Sequence, residues 1–144
     1  MPSITGRTQN IREIGPVLEC LIAPSQIYID TLKLSKDELP EPVKVRALID
    51  TGASTTVVQK GIAKKLGLNV VSVIRIGTPS HINVECEVYD IAIIFDITRV
   101  TFPNIMVIEA PLEGQDIQCL IGRDLLSTSV FIYNGIDNSF TLSI

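Results

Sequence analysis

One stretch in the first half of the chain decides the fold: Ala47-Leu48-Ile49-Asp50-Thr51-Gly52-Ala53-Ser54. Apolar β-formers lead directly into an acid, and a hydroxyl residue, a glycine and a small residue follow it. This order places a carboxylate at the end of a buried strand, where its charge is penalised unless partners share it. Gly52 permits a tight turn and the close approach of a peptide backbone. An ordinary β-turn also uses an acid, a hydroxyl and a glycine, so this stretch alone leaves a purely structural turn open.

A second motif follows about seventy residues later: Cys119-Leu120-Ile121-Gly122-Arg123-Asp124-Leu125-Leu126. It predicts an apolar strand that ends in a glycine and is followed by a short helix. A strand from each motif, crossing beside the acidic turn, would support the carboxylate.

With both motifs in this order, the chain resembles the retropepsin-like aspartic proteases, the class of retroviral proteases and their bacterial and cellular relatives. In that family an apolar-apolar-Asp-Thr/Ser-Gly-Ala stretch, a flap hairpin and an apolar-apolar-Gly-Arg-Asp/Asn stretch follow one another. The resemblance covers the chain from about Val17 to Ile144. It implies an all-β, closed retropepsin-like acid-protease barrel with a flap hairpin and one or two short helices.

The chemistry of this family needs two carboxylates, one ionised to activate a water and one protonated to polarise the scissile carbonyl. Asp50 is the candidate catalytic residue, and no other aspartate in the chain is followed by the hydroxyl and glycine of such a turn. A chain of 144 residues is also too short for two lobes that each carry an acid. We therefore predict a homodimer in which Asp50 of each copy meets its mate on the two-fold axis.

The resemblance also implies roles for other residues. Thr51, Gly52, Ala53 and Ser54 would support the active site, with Thr51 locking the two turns together across the axis and Gly52 accepting a hydrogen bond from substrate. Gly122, Arg123 and Asp124 would support the turn structurally. The family arginine usually braces an acid two places after the catalytic glycine, and here Ser54 stands there, so this bracing role is open for Arg123.

The flap is predicted at a turn between two long strand-like runs, and it would close over an extended peptide bound by main-chain hydrogen bonds. Its residues are Gly77, Thr78, Pro79, Ser80 and His81. Family flaps are often richer in glycine at the tip. His81, the single histidine, is interpreted as a solvated turn residue rather than a titrating functional group.

Composition agrees with a β-fold, because 22 Ile and 13 Val stand against 13 Leu. Strands are predicted over residues 17–22, 25–34, 43–49, 70–76, 82–96, 100–108, 118–121, 130–133 and 139–144. Helical spacing appears at 58–66, and a short helical turn is expected at 123–127. The chain is expected to be a single domain over 1–144, with 1–16 as an N-terminal extension or interface arm. The terminal hairpin at 130–144 suggests a larger interface sheet than a single terminal strand.

The net charge of -4 and the lack of any basic block argue against nucleic acid and anionic membranes as partners. No apolar run is long enough to cross a bilayer, and the N-terminus lacks a secretory pattern. Three widely spaced cysteines, Cys20, Cys86 and Cys119, indicate buried thiols in a reducing compartment. We expect a cytoplasmic protein with no cofactor and no metal.

The leading hypothesis is an aspartic endopeptidase that hydrolyses peptide bonds in extended, mostly apolar segments of peptide or protein substrates. The alternative is a retropepsin-fold dimer that binds peptides or serves as an assembly module with little turnover. A β-domain whose Asp50 turn is only structural would be a monomer.

Overall fold

Strands dominate the computed structural model, which describes residues 2–78, 81–95, 99–112, 114 and 116–144. For residues 78 and 81–83 within these ranges, it describes the backbone only. The ten strands are β1 (Ser3–Arg7), β2 (Val17–Pro24), β3 (Val43–Ile49), β4 (Val57–Gln59), β5 (Ser72–Thr78), β6 (His81–Phe95), β7 (Val100–Ala110), β8 (Cys119–Ile121), β9 (Val130–Asn134) and β10 (Ser139–Ser143). The short helices are α1 (Ile11–Ile14), α2 (Gln26–Leu32), α3 (Ile62–Lys65) and α4 (Arg123–Leu126), with a 3₁₀ turn at Lys36–Glu38.

Six strands close into a barrel in the order β2-β3-β8-β4-β7-β6, because β6 also pairs with β2, and β5 extends the sheet beyond β6. Alternate residues of the strands point inward, as in β3, and a continuous apolar core fills the barrel. Its least exposed members, with none of their surface accessible, include Ile22, Ala47, Ile93, Val107, Cys119 and Ile121. The predicted all-β, closed retropepsin-like barrel is confirmed.

Two parallel pairings interrupt the otherwise antiparallel barrel, and one of them brings the two sequence motifs together. Strand β3 pairs in parallel with β8 through Ala47 with Cys119, Leu48 with Leu120 and Ile49 with Ile121. Strand β8 in turn pairs with β4. Both motif strands therefore end side by side, at the same end of the barrel.

The chain ends form a second sheet in the order β1-β10-β9. The predicted terminal hairpin is confirmed, because β9 and β10 are antiparallel neighbours. The N-terminal segment adds β1 to the other edge of β10, pairing Ser3 with Ser143 and Arg7 with Ser139. Phe140 and Leu142 of β10 are buried and join the core of the barrel.

The prediction of a strand at 25–34 is wrong, because this segment contains helix α2. The Ser25 hydroxyl accepts a hydrogen bond from the Tyr28 N–H at 3.1 Å and caps the helix, and Ser25 is fully buried. Gln26 also donates to Asp30 one turn later, at 2.8 Å. The N-cap and this side-chain pair stabilise a helix that the β-branched composition argued against.

The helix predicted at 58–66 is also wrong over its first half. Val58 lies in β4 between β7 and β8 and is 1% exposed, so its burial comes from a strand and not from a helix face. Gly61, at φ 100°, ends this strand segment and begins the shorter helix α3. The part of the chain that the structure describes holds four short α-helices, more than the one or two expected, and none of them is long and apolar enough to cross a bilayer.

Candidate active site

Asp50 lies half-buried at the point where β3 leaves the barrel. Its N–H donates to the Ile121 carbonyl at 2.9 Å, which extends the β3–β8 pairing by one residue. The next two peptide groups turn back, so that the Ala53 N–H donates to the Asp50 carbonyl at 3.1 Å and the Gly52 N–H donates to Asp50 Oδ1 at 2.9 Å. The orientation of the carboxylate is thereby fixed by its own turn.

The other residues of the turn lie at the surface. Thr51, Gly52 and Ser54 are exposed, and Ala53 is half-buried. A Cβ on Gly52 would lie 3.1 Å from Asp50 Oδ1, tighter than ordinary contact, so a side chain here would press on the carboxylate. Gly52 thus keeps one side of Asp50 open.

Gly122 crosses directly behind the turn. A Cβ at this position would lie 2.7 Å from the Thr55 carbonyl carbon, 2.8 Å from the Thr55 oxygen and 3.0 Å from the Ala53 oxygen. The following N–H, that of Arg123, donates to the Ala53 carbonyl at 2.8 Å. Only a residue without a side chain allows β8 to approach the turn this closely.

The Arg123 guanidinium contacts the turn itself. Its Nη1 donates to the Thr51 carbonyl at 2.6 Å. The sequence left the bracing role of this arginine open, because Ser54 stands where the family has an acid. In the structure, the main chain of the Asp50 turn accepts the hydrogen bond instead.

Asp124 holds the end of the turn through Thr56, a residue that the sequence analysis missed. Thr56 is fully buried, its N–H donates to Asp124 Oδ2 at 2.9 Å, and its hydroxyl donates to Oδ1 at 2.7 Å. The Gly122 N–H donates to the same hydroxyl at 3.1 Å, and the Leu125 N–H donates to Asp124 Oδ1 at 2.8 Å. A hydroxyl residue two places after Ser54, at the start of a β-branched run, was the available signal.

The three thiols lie on three different strands, β2, β6 and β8. Cys20, Cys86 and Cys119 are buried and unpaired, as the sequence predicted. A hydrogen bond to Cys20, together with burial and the nearby charge of Asp124, raises the pKa of the Cys119 thiol well above its ordinary value. No three His, Cys, Asp or Glu side chains in the described ranges lie together in a way that could hold a metal ion.

Gly77, Thr78 and His81, three of the residues predicted to form a flap, lie in the hairpin of β5 and β6. The strands pair from Ser72 with Val88 to Thr78 with His81, with an irregularity between Ile76 and Thr78. Gly77 is exposed, with no heavy atom within 4 Å of a Cβ placed there. Pro79, Ser80 and the side chains of Thr78 and His81 lie outside the described residues.

A small apolar cluster, separate from the main core, lies between this hairpin and the strand that follows the Asp50 turn. Cys86, Val88 and Ile108 form its buried part, and Val57 of β4 and Ile76 of β5 pack against them. The cluster joins the hairpin to β4, the strand that begins directly after Thr56.

The profile of the family described as gag-polyprotein putative aspartyl protease matches residues 41–128, which include both motifs. No curated protein matches the chain.

Among solved structures, the chain is similar to a retropepsin-like aspartic protease from Rickettsia conorii, with 22% identity, 88% of this chain and 90% of that chain covered, and a TM-score of 0.49. It is also similar to EIAV protease in complex with the inhibitor HBY-793, with 21% identity, coverage of 78% and 85%, and a TM-score of 0.44. A third similar structure is the retroviral protease-like domain of Ddi1 from Leishmania major, with 19% identity, coverage of 83% and 82%, and a TM-score of 0.43.

The family profile covers more than half of the chain, and it includes the Asp50 turn and the glycine that crosses it. The chain therefore belongs to the gag-polyprotein putative aspartyl protease family.

Proposed function

We propose that the chain is an aspartic endopeptidase whose active unit is a homodimer, with Asp50 of each copy forming the catalytic dyad. The observation that carries the proposal is the fixed Asp50 turn, in which the Gly52 N–H orients the carboxylate and Arg123 holds the Thr51 carbonyl. One carboxylate of the dyad acts as general base on a water, and the other, protonated, polarises the scissile carbonyl.

The need for a second copy follows from the use of Asp124. Its two carboxylate oxygens accept hydrogen bonds from the Thr56 N–H, the Thr56 hydroxyl and the Leu125 N–H. This acid therefore serves to hold the turn together and is not available to share a proton with Asp50. A partner copy supplies the missing carboxylate at a two-fold axis, because both members then present the same turn.

The surface of the chain supports such an assembly. Thr51 and Gly52 are exposed beside Asp50. The outer strand of the terminal sheet, β9, exposes Val130 by 51% and Ile132 by 55%. An edge strand with apolar side chains favours association with another chain. We propose that the terminal sheets contribute to the dimer interface.

The β5–β6 hairpin suits a flap over an extended substrate. Its main chain continues beyond the barrel, and its strands contribute Ile76, Cys86 and Val88 to the small apolar cluster, which Val57 of β4 and Ile108 of β7 complete. Main-chain hydrogen bonds would hold the peptide as an added strand, and the apolar cluster favours apolar side chains in the substrate.

The decisive experiment is to profile cleavage of a mixed peptide library with the wild-type chain and with Asp50→Asn. The variant should lose at least ~100-fold in rate, the low end for removing a general acid-base group. Sedimentation of both proteins should show the same dimer. Equal cleavage rates would overturn the proposal.

The alternative, a dimer that binds peptides without turnover, predicts a different result in the same experiment. No library peptide would be cut, while a statine-type transition-state analogue would still bind. A monomer that neither binds the analogue nor cuts any peptide would leave Asp50 as a structural turn residue.

A further inference from the structure

A groove on the outside of the barrel lies far from Asp50 and has no part in the proposed catalysis. It has a volume of about 590 Å³, and it runs between the start of β3, with Val43 and Val45, and helix α3, with Gly61 and Ile62. Asp50 lies six residues beyond Lys44 along β3, roughly 20 Å away at the spacing of an extended strand. The volume falls in the range of ordinary ligand sites.

The rim of the groove is strongly basic. Lys44, Lys60, Lys64 and Lys65 line it, and these are four of the six lysines of a chain whose net charge is -4. All four are exposed. Such a concentration of one charge gives the groove a potential opposite in sign to the molecule as a whole.

Nearby carboxylates neutralise only part of this charge. Lys44 pairs with Glu19 at 3.0 Å, and Glu109 Oε2 accepts a hydrogen bond from the Ala63 N–H at 3.4 Å. Glu41 lines the adjoining cavity with Lys44 and Lys65. Lys60, Lys64 and Lys65 form no ion pair with any carboxylate of the described ranges.

The groove also contains an unused edge of strand β3. The Arg46 N–H donates to Gln118 Oε1 at 3.0 Å, and the Arg46 carbonyl accepts from the Gln118 N–H at 2.9 Å. Main-chain groups alternate in direction along a strand, so those of Lys44, two residues earlier, are directed to the same side as those of Arg46. Strand β8 begins to pair with β3 only at Ala47, so no described strand lies beside Lys44 on that side.

We propose that this groove, defined by Val43–Val45, Gly61–Lys65 and Gln118, binds an extended acidic segment of a partner protein. The segment adds to the edge of β3 at Lys44 and continues the line of β8. Alternate side chains of such a strand lie against the apolar lining of the groove, of which Val43 is the half-buried member, and the others, which are acidic, lie among the lysines. Charge complementarity selects the acidic segment and speeds its encounter.

The test measures binding of a fluorescein-labelled hexapeptide of alternating glutamate and valine by fluorescence anisotropy. All proteins carry Asp50→Asn, so the peptide stays intact whether or not the chain is a peptidase. Lys60→Glu with Lys65→Glu should weaken binding about tenfold, the effect of reversing two contributing surface charges. Binding should also weaken as salt is added.

The matched control reverses the two lysines outside the groove, Lys33→Glu with Lys36→Glu, which produces the same net charge. It should change the affinity by no more than about twofold, since screened charges at a distance contribute little. Lys60→Gln with Lys65→Gln provides a milder variant if the reversals disturb α3, and thermal melting checks that each variant is folded.

Three further probes distinguish strand addition in the groove from attraction by charge alone and from binding in the active-site cleft. A peptide N-methylated at alternate residues should bind more weakly, because it loses main-chain donors. The same peptide with glutamine in place of glutamate should also bind more weakly. An excess of a statine-type analogue should leave binding unchanged.

Equal weakening by both lysine pairs would overturn the proposal, as would displacement of the probe by the analogue, which would place it in the active-site cleft. Equally tight binding of a single-stranded oligonucleotide would also overturn it, because the groove would then be a general polyanion site. None of these outcomes depends on whether the chain cleaves peptides.

Discussion

Strand β4, which follows the Asp50 turn, and the β5–β6 hairpin share one small apolar cluster, yet the turn and the hairpin are held in different ways. The turn is fixed from outside itself, by hydrogen bonds that Gly122 and Arg123 donate to Thr51, Ala53 and Thr56. The hairpin is held by its own ladder, with an exposed ion pair between Arg75 and Glu85 at 3.4 Å across it. Val73 and Val84 on the hairpin are exposed.

This difference suits the two tasks that the proposed peptidase activity would give to these regions. A catalytic carboxylate must keep a fixed position, so it benefits from tight contacts with distant segments of the chain. A cover over an extended substrate must open and close, so few contacts with the rest of the molecule suit it. Substitutions of the same kind in the two regions should therefore have unequal effects.

The largest difference is expected between two glycines. Gly122→Ala should lower the free energy of unfolding by about 3 kcal/mol, because the new methyl group would overlap the Thr55 and Ala53 main chain. Gly77→Ala should change it by less than about 0.5 kcal/mol, because no atom lies within 4 Å of a Cβ there. Urea unfolding of both variants provides the measurement. Equal destabilisation would show that the two regions are packed alike.

A smaller difference is expected between two acids. Asp124→Ala leaves the buried Thr56 N–H and hydroxyl without their acceptor, so it should cost about 2 kcal/mol of stability. Glu85→Ala removes only the exposed partner of Arg75 and should cost about 0.5 kcal/mol or less. Both values come from urea unfolding at neutral pH. A cost for Asp124→Ala as small as for Glu85→Ala would contradict the role given to Thr56.

Substitutions of two arginines, one in each region, compare the regions by their effect on activity rather than on stability. Arg123→Ala should lower kcat about tenfold with little change in KM, because it removes one charged hydrogen bond to the turn that carries Asp50. Arg75→Ala should leave kcat unchanged. Arg123→Lys should restore part of the loss, since it keeps a cationic donor near the Thr51 carbonyl. A change in KM alone would assign Arg123 to substrate binding.

The smallest effect concerns the order in which the three cysteines react with a thiol reagent, and its measurement needs no substitution. Under native conditions a thiol reagent should label Cys86 of the hairpin before Cys20 and Cys119 of the barrel, which become accessible only on global unfolding. Mass spectrometry of timed samples gives the sequence of labelling. Simultaneous labelling of all three would mean that the hairpin opens only when the barrel does.

The burial of Cys119 should also make the free energy of unfolding depend on pH. The pKa of Cys119 is raised in the folded state, so the unfolded chain releases this proton at a lower pH. The contribution of the protonated Cys119 to the free energy of unfolding is therefore complete below the ordinary thiol pKa of 9.0. It decreases as the pH rises above that value. Cys119→Ser should flatten this part of a plot of unfolding free energy against pH.

Much of the site could be predicted from the order of residues along two short motifs. The strand leading to Asp50, the glycine after it and the later Gly122 each have a local signature, because turns and strand ends depend on nearby residues. Thr56 carried only a weak local signal, as a hydroxyl residue at the start of a β-branched run, because its role comes from burial against Asp124, 68 residues away. Helix α2 was missed because the Ser25 cap outweighed a run of β-branched residues.

The lysines of the outer groove illustrate the same limit. Lys60, Lys64 and Lys65 fall within residues 58–66, whose spacing predicts a helix, but Lys44 joins them only because β3 passes beside α3. The unused main-chain edge at Lys44 depends on where β8 begins to pair, which no residue near Lys44 specifies.

Residue order alone was therefore sufficient to identify the family, the all-β barrel and the acid at the end of β3, because each strand and turn has a local signature and the two motifs follow one another in the order of the family. The folded chain was needed to assign Arg123 to the Thr51 carbonyl, Asp124 to Thr56 and the lysines to one groove. These contacts join segments far apart in sequence, and their geometry is set by the parallel pairing of β3 with β8, which no local pattern encodes.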